Sequence, residues 1–84
     1  MSKKEKLVKR LQSNPKDFTF DELVVLLNYL GYESVKAGKT SGSRVTFMDK
    51  EGYVIRLHKP HPRNVLKSYQ VSSVIEALRE RGVI

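Results

Sequence analysis

The sequence predicts an α+β domain, a small three-stranded antiparallel sheet covered on one side by helices, and three observations carry that prediction. Apolar residues recur at helical spacing in Lys3–Ser13, in the run after Thr19 and in Tyr69–Arg81. From Glu33 the period changes from 3.6 to 2, the signature of half-buried strands. Between two such alternating runs lies Asp49-Lys50-Glu51-Gly52, a hairpin signal. Helices and strands are thus grouped rather than interleaved, which is the α+β arrangement.

The elements follow in order. Lys3–Ser13 carries Leu7, Val8 and Leu11 on an otherwise basic helix, and Asn14-Pro15 stops it, since the residue before proline is pushed out of the helical region. Thr19-Phe20-Asp21-Glu22 reads as a capping box, and the two carboxylates suit the positive end of the helix dipole. Phe20, Leu23, Leu26, Leu27 and Leu30 form the apolar face of that second helix, and Gly31 supplies its left-handed cap. Three strands are expected at Glu33–Ala37, Ser43–Met48 and Tyr53–His58, with Pro60 and Pro62 ending the third. A loop then runs to Lys67. The final helix, Tyr69–Arg81, takes Ser68 as its N-cap and Gly82 as its stop, and turns Val71, Val74, Ile75 and Leu78 inward.

Length and composition narrow the function classes. A chain of 84 residues is expected to be one domain (1–84), without room for a separate cofactor-binding half. The absence of cysteine excludes disulfides and thiolate zinc sites. Charges recur from Lys3 to Arg10, so no apolar core of a signal peptide is expected there. No apolar run approaches the ~20 residues that span a bilayer. The expected location is cytoplasmic, with no membrane partner and no small-molecule cofactor.

The net charge of +7 is unevenly placed. Residues 1–16 hold six lysines and arginines against one acid, 17–35 hold four acids and no base, and 36–67 hold eight bases against two acids. A basic middle beside an acidic flank points to a polyanionic partner, with nucleic acid the first candidate. Alternation refines this. Pairing Phe47 with Tyr53 and Val45 with Ile55 keeps the apolar residues on one face, and it sets Arg44 opposite Arg56 with His58 beside Gly42. Two facing arginines repel unless an anion sits between them. The loop Gly38–Ser43, GKTSGS, offers small residues and backbone N–H groups to a phosphate, with Lys39 and Ser43 as contacts, but lacks the spacing of a nucleotide-hydrolysing loop. His58-Lys59-Pro60-His61-Pro62 adds two imidazoles able to exchange a proton near neutral pH. The expected RNA contacts are Lys39, Ser43, Arg44, Arg56 and Lys59, and the candidate catalytic residues are His58 and His61. The two histidines have a metal-like spacing, but no third ligand is evident and no metal is expected.

The run TFDELVVLLNYLGYE, then GKTSGSRVTF, the hairpin, RLHKPHP and the closing VIEALRERGVI resembles the HicA (YcfA-like) mRNA interferase toxins over Phe18–Ile84. The pair Gly42-Ser43 followed by one residue and a strand is the most specific part of the likeness. The resemblance implies a double-stranded-RNA-binding-domain-like fold, metal-independent cleavage of mRNA, and neutralisation by a HicB antitoxin. Two departures stand out. Arg44 occupies the position of the family's catalytic histidine, and arginine stays protonated, so it is no general base. The helix Lys3–Ser13, within residues 1–16, is an addition to the short form of the family, and its basic face is a possible extension of the RNA footprint. Three readings follow: a ribonuclease toxin in which His58 supplies the base, a non-catalytic RNA-binding module, and an interaction domain that docks an acidic partner protein.

Overall fold

The computed structural model describes residues 2–35, 44–60 and 63–84. In chain order they form α1 (Lys3–Gln12), α2 (Phe20–Tyr29), β1 (Glu33–Val35), β2 (Arg44–Met48), β3 (Val54–His58) and α3 (Ser68–Arg81). The strands make one antiparallel sheet in the order β1-β2-β3. The described chain is therefore a small α+β fold, three helices and a three-stranded sheet. No described helix is long and apolar enough to cross a membrane.

Local chemistry sets the helix ends. The Thr19 hydroxyl accepts from the Glu22 N–H at 3.1 Å, and the Glu22 carboxylate accepts from the Thr19 N–H at 3.0 Å, which completes the capping box. Arg10 Nε donates to the same carboxylate at 3.0 Å, so this cap also ties α1 to α2. At the other end of α2 the Tyr32 N–H reaches the Leu27 carbonyl and the Gly31 N–H reaches that of Asn28, with Gly31 at φ 93°. This is a Schellman closure, and Gly82 at φ 79° repeats it after α3. The start of α3 differs from expectation. Lys67, not Ser68, is the N-cap, and the Gln70 side chain accepts from the Lys67 N–H at 3.0 Å. A lysine side chain has no acceptor, so glutamine supplies the cap from within the helix.

The core lies between the helices and one face of the sheet. Leu11, Leu23, Leu26, Leu27, Val71, Val74 and Leu78 meet Phe47, Ile55 and Leu57 there. Phe20 and Phe47 place their rings 6.3 Å apart, joining α2 to the central strand. Phe18, Tyr32 and Leu66 complete the core from outside the periodic segments. Leu66 is drawn in by a short bridge, in which its N–H donates to the Phe18 carbonyl and the Phe20 N–H donates to the Asn64 carbonyl.

The hairpin register departs from the expected one by two residues. Phe47 pairs with Ile55, Val45 with Leu57, Thr46 with Arg56 and Arg44 with His58. Tyr53 stands outside β3, and the facing Arg44–Arg56 pair does not form. The turn explains the shift. Asp49 Oδ1 accepts from the N–H groups of both Glu51 and Tyr53 at 2.9 Å, and the Asp49 N–H donates to the Tyr53 carbonyl. Those bonds close a three-residue loop with Gly52 at φ 90°, a left-handed position that glycine occupies without strain. Arg81 then stacks its guanidinium 4.0 Å from the centre of the Tyr53 ring.

The Asp49 side chain is only 9 % exposed and pairs with Arg81 Nε at 3.2 Å. Burial pushes its carboxyl up, but the Tyr53 N–H, the Arg81 guanidinium and the Glu51 N–H together hold it below the usual carboxylate range. The Arg10 hydrogen bond likewise lowers Glu22, against a smaller opposing effect of burial. Both folded-state values lie below the unfolded ones of about 4. Their contribution is present above that pH and fades as pH falls through the folded values. Asp49→Asn should therefore lower the melting temperature at pH 7 and flatten its decline between about pH 5 and pH 2. Thermal melts across that range check this, and a profile parallel to the parent's contradicts it.

Candidate nucleic-acid interface

Strand alternation gives the sheet two unlike faces. Val45, Phe47, Ile55 and Leu57 point to the helices, while Arg44, Thr46, Met48, Val54, Arg56 and His58 point the other way. Arg44, Arg56 and His58 are all exposed, as the sequence predicts. The Asp49–Tyr53 bond fixes which pairs of the ladder are hydrogen-bonded, and by alternation Arg44 and His58 form a non-hydrogen-bonded pair. In such a pair the Cα atoms approach to about 4.5 Å and the side chains lie closest. Arg56, two residues before His58, is diagonal to Arg44, a spacing of roughly 7–8 Å that long side chains span. Two guanidinium groups and an imidazole thus share one corner of the face. No ion pair engages any of the three among the described residues.

The opposite corner has a different character. Glu33 pairs with Met48, which pairs with Val54, and Met48 and Val54 are 39 % and 40 % exposed. Charge therefore changes along the strands from cationic, at the start of β2, to apolar and acidic about 13 Å away. Between them Thr46 is buried on the central strand, flanked by Val35 and Arg56.

The remaining candidates divide. Lys59 leaves this face: its Nζ lies 5.7 Å from the centre of the Phe20 ring, on the helical side. Lys39, Ser43 and His61 lie outside the described residues, as do Gly42 and the rest of the GKTSGS loop. The basic helix α1 packs on α2 and α3, and Arg10 is turned to Asp17 and Glu22. Its lysines therefore belong to the helical layer and do not extend the corner formed by Arg44, Arg56 and His58.

Gln70 is the residue that sequence reasoning missed. Only 5 % exposed, it donates from Nε2 to the His58 carbonyl at 2.8 Å while its Oε1 holds the Lys67 N–H. One amide thus caps α3 and fixes the end of β3, the backbone that carries His58. The signal available was weak: a glutamine three residues after a helix start is also read as part of an ordinary cap. Comparison with protein-family models, curated proteins and solved structures finds no match to this chain.

Proposed function

We propose that this chain binds RNA through the open face of its sheet and cleaves it without a metal, as the toxin of a type II toxin–antitoxin pair. In this reading the fold is double-stranded-RNA-binding-domain-like, the protein works in the cytoplasm, and a HicB-like antitoxin neutralises it. The observation that carries the reading is Arg44 directly across the ladder from His58, with Arg56 on the diagonal, on a face that no described helix covers. An imidazole beside two guanidinium groups has the parts for phosphoryl transfer within RNA. His58 takes the proton of a ribose 2′-OH, and the oxygen attacks the adjacent phosphorus. The arginines neutralise the charge that builds on the phosphoryl oxygens. The P–O5′ bond breaks, leaving a 2′,3′-cyclic phosphate, and the departing 5′-oxygen takes up a proton, a role we assign to His61, the second candidate catalytic residue.

Arg44 itself favours a second reading, an RNA-binding module that does not cut. It stands where the resembling family has its histidine and cannot accept a proton. Purified protein incubated with single-stranded RNA and EDTA separates the two. The first reading expects fragments ending in a 2′,3′-cyclic phosphate, and a His58→Ala protein that keeps RNA affinity but cuts about 10²-fold more slowly or worse. Undiminished cutting by His58→Ala removes the imidazole from the mechanism. Binding without any cutting by the parent supports the second reading.

A further inference from the structure

We infer that the free edge of β3 is a docking site for an extended acidic segment of another protein, which adds to the sheet as a fourth strand. β3 lies at the edge of the order β1-β2-β3, so one side of its backbone faces no strand among the described residues. The hydrogen-bonded pairs of the β2–β3 ladder fall at Phe47–Ile55 and Val45–Leu57, two and four steps from the Asp49–Tyr53 bond. The N–H and C=O groups of Val54, Arg56 and His58 therefore point outward. An independent contact agrees: the His58 carbonyl is the group that Gln70 reaches from α3. The outward groups of Val54 and Arg56 and the His58 N–H have no hydrogen-bond partner among the described residues.

Beyond the Gln70 contact and the Arg56 charge, this edge has few of the usual protections. Val54–His58 contains no proline, lysine or bulge, and α3 stands back from it across a groove of about 290 Å³ lined by Tyr69, Ser73, Val74 and Ala77. Tyr69, 64 % exposed, lines one side of this groove. A strand laid along β3 would drop alternate side chains into this groove and set the others on the outer face, across from Val54, Arg56 and His58. Small apolar residues suit the first set. Carboxylates suit the positions opposite Arg56 and His58 on the outer face, because no ion pair engages either side chain among the described residues. A second copy of this chain fits poorly. Pairing two β3 edges about a two-fold axis sets Arg56 against or diagonal to its own copy, between chains of +7 charge each. The occupant is thus an acidic, alternating segment of a different protein. The inference stands apart from the RNA reading, since in-plane backbone groups of β3 carry it, and a chain that binds no RNA leaves it intact.

The probe is the synthetic peptide acetyl-SEVEAVS-amide, titrated into the full chain with backbone amide resonances followed by NMR. Binding should shift and protect the amides of Val54, Arg56 and His58. The same peptide N-methylated on the amides that would pair with β3 keeps its charge and should bind about tenfold more weakly. Val54→Pro, a change an edge strand accepts where the N–H faces outward, should weaken the unmodified peptide similarly. Equal affinity of the methylated and unmodified peptides, or equal affinity for acetyl-SKVKAVS-amide, overturns the proposal. So does edge protection that depends on protein concentration alone, which assigns the edge to a second copy.

Discussion

A Phe47→Ala protein is expected to lose about 3–5 kcal/mol of stability, the range for removing a fully buried phenylalanine. The ring is wholly buried on the helical face of the central strand, paired across the ladder with Ile55 and in ring contact with Phe20. The surrounding side chains refill such a space only in part, because the sheet and α2 that frame it are held by their own hydrogen bonds. Domains of this size hold roughly 0.05–0.15 kcal/mol per residue, so the loss is a large part of the total. Urea unfolding should show the midpoint falling by about 2 M or more at an unchanged slope. Tyr53→Ala is the matched control: that ring is 51 % exposed and touches Arg81 rather than the core. A midpoint shift no larger for Phe47 than for Tyr53 would show that the sheet–helix core is not centred where the burial places it.

Much of this architecture was legible because it is written in short-range chemistry. The Thr19–Glu22 box, the glycines at 31 and 82 and the leucine face of α2 each depend on residues within one or two turns. The faces of the hairpin were legible too, since period-2 alternation decides which side chains point inward. Its register was not. A slip of one residue turns the apolar set to solvent, but a slip of two leaves every face unchanged, so patterning is blind to it. The choice is made by the Asp49 carboxylate gathering two backbone N–H groups and by Arg81 drawing Tyr53 out of the strand, a contact 28 positions away in sequence. Phe18, Tyr32 and Leu66 escaped for a related reason: each is buried through a cap or a bridge, outside any periodic run.

The candidate site divides along the same line. That Arg44, Arg56 and His58 share a solvent face follows from alternation alone, whereas their mutual arrangement follows from the register. The two-residue shift replaces an arginine–arginine pair with an arginine–histidine pair. This puts the His58 ring in closest approach to a fixed positive charge, rather than out beside the loop. Lys59 illustrates the opposite case. It sits next to His58 in sequence, but one further step along an extended chain reverses the side, and the Phe20 ring receives it.

Reversing both arginines, Arg44→Glu with Arg56→Glu, is expected to weaken RNA binding about a hundredfold or more, since each charged hydrogen bond to phosphate is worth roughly 1.5–3 kcal/mol. The fold should survive, because both side chains are exposed and neither has an ion-pair partner among the described residues. Affinity measured from about 50 to 200 mM salt should also lose slope, by roughly 0.7 for each single-strand phosphate no longer contacted. The decisive comparison is with Lys3→Glu, Lys4→Glu. That pair changes the net charge by the same amount but lies on α1, in the helical layer. If net charge alone drove binding, the two double variants would fall together with equal salt slopes. If the open sheet face is the site, the helix variant keeps most of its affinity and nearly all of its slope, because charges beyond about 10 Å act only through a screened field. Equal losses from the two would detach RNA binding from the sheet, and with it the role given to His58.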